Sequence, residues 1–177
     1  MLESVKRVIE QAYEAYKKTP REQWVLDWPG QVVICVGQIY WTSNVEAAIA
    51  AGGKKALEDA MAKCTNELND VIRLVRGDLS KMSRITLGAL VVIDVHARDT
   101  IGQLIQENIR DINDFGWLAQ LRYYWDNNQV LVKMINSCIG YGYEYLGNSS
   151  RLVITPLTDR CYRTLFGALH LNLGGAP

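Results

Sequence analysis

The spacing at which apolar residues recur changes along this chain, and those changes limit what it can fold into. From Leu2 to about Ile109 they return every three or four positions, as on a helix face. From Val130 to Tyr145 they tend to return every second position, as on a strand, before a helical spacing resumes at Tyr162. Successive amphipathic helices bury their stripes against one another. The pattern therefore predicts a mainly α fold: an antiparallel helical bundle, then a small β-hairpin or short-strand region, then a final helix.

The first stripe is Leu2, Val5, Val8, Ile9, Ala12, Tyr13 and Tyr16, and Thr19-Pro20 ends it because a residue before proline avoids the helical region. Trp24, Leu26 and Trp28 read as a short aromatic link closed by Pro29-Gly30. Gln31 to Trp41 is rich in β-branched residues and fits strand or helix; Val45, Ala48 and Ile49 continue a helical period to Gly52-Gly53 and favour helix. Lys54 to Arg76 is a helix with Leu57, Met61, Cys64, Leu68, Val71, Ile72 and Val75 on one face. Asp78 is placed to cap a further helix from about Leu79 to Ile109. Its middle, Leu87 to Ile93, is apolar all round, so it is expected to be the most buried helix. Phe115 to Trp125 reads as a short aromatic helix. After the turn Asp126-Asn127-Asn128, the alternations at 130–135 and at Tyr141, Tyr143 and Tyr145 predict two or three short strands, with Leu152–Thr155 among them. Pro156 stops that run, and Thr158 and Asp159 offer caps. Tyr162, Leu165, Phe166, Leu169 and Leu173 then mark a helix ended by Gly174-Gly175.

Composition narrows function by exclusion. The chain is 49% hydrophobic and 21% charged, with 19 basic and 19 acidic residues, so no net charge favours nucleic acid or a membrane surface. No apolar run reads as long enough to cross a bilayer, and the N-terminus does not read as a signal peptide. Cys35, Cys64, Cys138 and Cys161 lack metal or redox spacing, which suits free thiols in a reducing, broadly cytosolic setting. No metal site is expected.

One cluster, Asp94-Val-His96-Ala-Arg98-Asp99, has the residue types of an acid-base site. At helical spacing, however, Asp94 and Arg98 form an ordinary side-chain pair, and His96 lies off that line. His170 reads as a surface or cap residue. The aromatic stretches 117–125 and 141–145 lack the interleaved cations of a base-stacking platform and read as core. No catalytic residue is assigned.

The final stretch carries a resemblance. Leu-Val-Ile-Thr-Pro-Leu-Thr-Asp-Arg-Cys-Tyr (152–162), preceded by Tyr-Gly-Tyr-Glu-Tyr-Leu-Gly-Asn (141–148), resembles the approach to the first AAA+ ATPase module of a dynein heavy chain. The likeness continues upstream through Leu118-Ala-Gln-Leu-Arg-Tyr-Tyr-Trp125 and Thr86-Leu-Gly-Ala-Leu-Val-Val-Ile-Asp-Val-His-Ala-Arg-Asp99, and its wording is closer to axonemal dyneins than to the cytoplasmic form. Lys133, where arginine is expected, and the weakly polar Ser137-Cys138-Ile139-Gly140 depart from the family pattern.

The resemblance implies two parts. Residues 1–140 would be the C-terminal part of the dynein linker, and 141–177 the start of the first AAA+ module, stopping before its phosphate-binding loop. The whole heavy chain would be an ATP-driven microtubule motor of the ciliary or flagellar axoneme, using ATP/ADP with Mg. Its linker would couple hydrolysis to the power stroke. The implied partners are the AAA+ ring of the same heavy chain, other dynein chains and microtubules, with no nucleic acid and no membrane. The implied location is cytoplasm, cytoskeleton and axoneme. By the same resemblance Leu152, Val153, Thr155, Pro156 and Leu157 would pack against the adenine. No Gly-x-x-x-x-Gly-Lys-Ser/Thr and no acidic pair after an apolar strand occur, so these residues by themselves are expected to bind nucleotide poorly and hydrolyse none. The alternatives are a non-catalytic helical scaffold or adaptor, and a small enzyme built on Asp94 and His96.

Overall fold

The computed structural model describes residues 1–52, 54–147, 151 and 153–175. In chain order these form α1 (Leu2–Tyr16), α2 (Arg21–Asp27), α3 (Gly30–Ala50), α4 (Lys54–Val75), α5 (Lys81–Gln106), α6 (Phe115–Leu118), β1 (Arg122–Asp126), β2 (Gln129–Met134), β3 (Ser137–Gly140) and α7 (Pro156–His170). The mainly α architecture with a small sheet and a final helix matches the expectation, and the ambiguous Gln31–Trp41 run is helix.

The central element is α3, packed against α1, α4, α5 and β1. Twelve of its 21 residues are buried. It, and not α5, is the most buried helix: between Leu87 and Ile93 only Leu87, Ala89 and Leu90 are fully covered, while Val91, Val92 and Ile93 are partly exposed. The composition of α5 is apolar there, but Ile93 borders an open cleft and none of these three side chains is fully covered. By length and composition α3 could cross a bilayer, contrary to the sequence expectation, but protein covers its apolar sides. Two hydrophobic clusters lie along it. Ile9, Trp24, Val71, Leu87, Leu90 and Val130 cluster with Val33 and Val36 of its first half. Leu57, Ile101, Leu104 and Trp117 cluster with Val45 and Ile49 of its second.

The expected aromatic link at 24–28 is largely the short helix α2. Trp24 is buried and donates its indole N–H to the Ala12 carbonyl at 3.0 Å, which fixes α2 across α1. Stacked rings tie the elements together: Trp125 lies on Tyr13 (4.9 Å), Tyr13 on Tyr40 (5.1 Å) and Tyr40 on Tyr16 (4.1 Å). Ser80, not Asp78, caps α5, accepting the Ser83 N–H at 3.0 Å.

Asp94 does not pair with Arg98. Arg21 of α2 reaches over α4 and donates twice to Asp94 of α5, both at 2.9 Å, while its guanidinium also approaches Glu67. Arg98 instead holds its neighbour Asp99. Spacing within one helix could not reveal a partner 73 positions away. Burial raises the Asp94 carboxyl above the usual carboxylate range, against the pull of Arg21; burial opposes the charge on Arg21, but Asp94 and Glu67 outweigh it.

The sheet is an antiparallel meander in the order β1-β2-β3. The Phe115–Trp125 helix expected from sequence is wrong beyond Leu118: Arg122 to Asp126 is β1, paired Trp125 to Val130 and Asp126 to Gln129. The two-residue loop Asn127-Asn128 has φ of 47° and 57°, which matches the twist of a hairpin and suits asparagine. Turn chemistry and cross-strand partners therefore override the aromatic helical spacing. The strand expected at 141–145 is also absent, because Tyr143 has φ 52° and breaks the extension. At 152–155, Leu152 lies outside the described residues, and Val153 to Thr155 are not strand. Among the described residues they have no ladder partner, and they run directly into α7. The last helix stops at His170, short of the expected Gly174-Gly175.

Replacing Asp94 by Ala leaves the Arg21 charge without its forked partner, and denaturant titration is expected to show a loss of about 3 kcal/mol. Arg98→Ala, at an exposed pair, is expected to cost under about 0.5 kcal/mol in the same titration.

Candidate functional site

Between β3 and α7 the chain crosses the bundle as an irregular strap, residues 141–147. Its backbone groups need partners, and one buried side chain supplies two of them. Gln31, in the first turn of α3, is 6% exposed. Its Nε2 donates to the Tyr141 hydroxyl at 3.0 Å and to the Glu144 carbonyl at 2.6 Å, and its Oε1 accepts the Leu146 N–H at 2.9 Å. Val130 of β2 holds the other end. Its carbonyl accepts the Tyr141 N–H at 2.9 Å, and its N–H donates to the Tyr143 hydroxyl at 2.8 Å. The strap thus extends the β3 ladder by one bond, after which a phenol replaces the missing strand. Burial raises the hydroxyl pKa of both Tyr141 and Tyr143.

Beyond the strap lie the residues singled out from sequence. Val153 and Leu157 are 68% and 69% exposed, and both are apolar. Between them Thr155 and Pro156 start α7. Thr155, not Thr158 or Asp159, is the N-cap: its Oγ1 accepts the Thr158 N–H at 3.3 Å, and Thr158 Oγ1 accepts the Thr155 N–H at 2.6 Å. Pro156, at the first helical position, fixes the backbone there with no donor lost. Val153, Thr155, Pro156 and Leu157 therefore sit together on an exposed, rigid corner, and Leu152 lies outside the described residues. No residue of α7 is fully buried, and Leu157, Tyr162, Leu165 and Leu169 present an uncovered apolar face.

Behind this corner is a cleft of about 410 Å³ between the bundle, the sheet and α7, lined by Ile93, His96, Tyr123, Arg151, Ile154, Asp159 and Tyr162 among others. Burial lowers the His96 pKa, opposed by the carboxylates of Asp159 and Asp99. Asp94 opens instead onto a separate small cavity with Arg21 and Glu67, so Asp94 and His96 do not form a dyad. Among the described residues no group of three His, Cys, Asp or Glu could hold a metal. Sequence inspection missed Gln31. A polar residue opening an apolar helix was its only signal, and nothing local tells that its partners lie more than a hundred positions away.

The comparisons with known proteins bear on this same region. A family described as the hydrolytic ATP binding site of the dynein motor region matches residues 141–177, beginning one residue after β3 ends. Over all 177 residues the chain is 57% identical to dynein axonemal heavy chain 3 of Mus musculus, 56% to dynein axonemal heavy chain 12 of Homo sapiens and 55% to dynein axonemal heavy chain 1 of Homo sapiens. The chain belongs to the axonemal dynein heavy chains. It spans 4% of the length of the heavy chain 3 and heavy chain 1 relatives and 6% of heavy chain 12. Within this dynein segment the strap and the α7 corner are where the helical bundle meets the part that matches an ATP site.

Thr155→Ala removes the reciprocal cap, and amide exchange at Thr158 is expected to quicken by the equivalent of about 1 kcal/mol, with the amides of α3 unchanged.

Proposed function

We infer that residues 1–140 serve as the C-terminal part of a dynein linker and residues 141–177 as the start of the first AAA+ module, in an ATP-driven microtubule motor of the axoneme. The observation that carries this reading is the exposed corner Val153–Leu157, set on a segment matching a dynein ATP site and joined to a helical bundle. A lever must transmit force without bending internally, and helices packed along both halves of α3 give it a continuous seam. The bundle would swing as a body, with the strap as its joint to the ring.

The corner suits one part of ATP. An adenine needs apolar walls and little charge, and Val153 and Leu157 supply two such walls beside the rigid Thr155-Pro156. We assign Leu152 to the same contact from its place in the sequence. These residues would hold and orient the base. They offer no glycine-rich cradle for the phosphates and no carboxylate pair for Mg, so those parts of the site would come from elsewhere in the heavy chain. Bound ATP supplies the phosphoanhydride whose cleavage drives the motor. The partners of the whole motor would be its own AAA+ ring, other dynein chains and microtubules.

A second reading, a non-catalytic scaffold, is favoured by one feature: an apolar groove of about 380 Å³ lined by Met1, Val5, Val8, Val32, Met82 and Tyr145. Nucleotide kinetics separate the two. In the full-length heavy chain, Leu157→Asp is expected to raise the KM for ATP at least fivefold, and an unchanged KM would remove the adenine contact from this corner. Leu146→Pro deletes an N–H that Gln31 holds and is expected to slow microtubule gliding at least twofold; unchanged velocity would count against the strap as the joint.

A further inference from the structure

We propose that Gln31 is the latch of the strap: its one carboxamide fixes residues 144–146 against α3 and thereby sets the position from which the Val153–Leu157 corner meets nucleotide. The proposal rests on the ATP-site reading above and adds to it a positioning residue in the helical bundle, far from the corner in sequence.

The chemistry of the amide is what makes it specific. A glutamine side chain offers two N–H donors and an acceptor oxygen, and here both donors and the oxygen are used, on a hydroxyl, a carbonyl and an N–H of the strap. Glutamate has no donor for the Glu144 carbonyl, and leucine or methionine has neither donor nor acceptor. Asparagine has both but is one methylene shorter. Among the described residues, the strap's hydrogen bonds to the rest of the protein run to Gln31 and to Val130. Val130 holds Tyr141 and Tyr143, whereas Gln31 also holds the stretch beyond them.

That stretch is built to be released. It is bracketed by two residues in the left-handed region, Tyr143 at φ 52° and Gly147 at φ 62°. Tyr145 and Leu146 are largely exposed, so the backbone groups that Gln31 now satisfies would meet water if it let go. The anchoring side is fixed. At 100° per residue, Gln31, Thr42 and Glu46 fall within about 60° of one another around α3. Thr42 Oγ1 accepts the Tyr123 N–H at 3.1 Å and Glu46 accepts the Tyr124 hydroxyl at 2.6 Å. One face of α3 therefore holds the sheet through two side chains and the strap through the third. Displacement of residues 144–146 from α3 must break the Gln31 bonds, whereas Tyr141 and Tyr143 stay on Val130 and α7 keeps its packing on β3; the shift this gives the α7 corner is what the kinetics below read.

The test uses the full-length heavy chain, with Gln31→Leu, Gln31→Glu and Tyr141→Phe, read by peptide-resolved hydrogen exchange and ATPase kinetics. In both Gln31 variants, exchange across 144–147 is expected to quicken at least tenfold, while 129–135 and the later turns of α3 keep their protection. Tyr141→Phe, which removes one bond of the three, should give a smaller increase at the same place. The KM for ATP is expected to rise at least threefold with kcat within twofold of the parent, a split that general destabilisation would not produce. Unchanged exchange at 144–147 in Gln31→Glu overturns the latch whatever the function of the corner. Faster exchange with an unchanged KM, in a heavy chain where Leu157→Asp does raise KM, overturns the positioning role. If Leu157→Asp also leaves KM unchanged, the ATP-site reading fails and the positioning role falls with it. Should Gln31→Leu lose protection throughout the bundle, Gln31→Glu and Tyr141→Phe decide the matter.

Discussion

The structure depends on the burial of α3. The first turns of this 21-residue helix, Gly30 to Val36, are buried on every side, so they have to be enclosed, whereas Ser43, Asn44, Ala47 and Ala50 further along face water. Helices α1, α4 and α5 and the strand β1 provide the enclosure, and the two hydrophobic clusters are the inner linings of that sheath. Burying a helix this way has a consequence for its polar residues. Each one inside the sheath must find a partner, and Gln31, Thr42 and Glu46 find theirs on the strap and the first strand. The same helix that supplies most of the apolar contact therefore also fixes the position of the β layer. Packing and positioning are properties of one element.

The sheet and the strap show how a helical bundle hands the chain to something else. The meander closes one side of α3 and ends at Gly140. After the Tyr141 N–H, the strap is held through side chains, first the Tyr143 hydroxyl and then the Gln31 amide. Such bonds are fewer than those of a ladder, and regular hydrogen bonding resumes at the capped, proline-initiated start of α7. A packed bundle, a crossing held by side chains and a capped helix start follow one another along the chain. In an axonemal dynein heavy chain, that order would give strain and nucleotide a shared stretch of backbone through which each can act on the other.

Several features were legible before any coordinates. The stripes of α1, α4 and α5 placed those helices to within a few residues, because an amphipathic face repeats along the element that bears it. The strand alternation at 130–134 was equally direct. The errors share one cause. Arg122–Asp126 reads as helix until its hairpin partner is known, Asp94 pairs with Arg98 until Arg21 arrives from α2, and the tyrosines at 141–145 alternate like a strand although no strand lies beside them. Val153, Thr155, Pro156 and Leu157 could be proposed for a site from their resemblance to a family, whereas Gln31 could not.

The sequence by itself determined the helical class, the point at which the apolar period changes and the family to which the chain belongs, since periodicity and residue identity are written locally. Tertiary structure alone decided which helix lies at the centre, which charges meet and which amide holds the strap. Those outcomes depend on groups tens to more than a hundred positions apart being brought within hydrogen-bonding distance, and neither spacing nor composition encodes that distance.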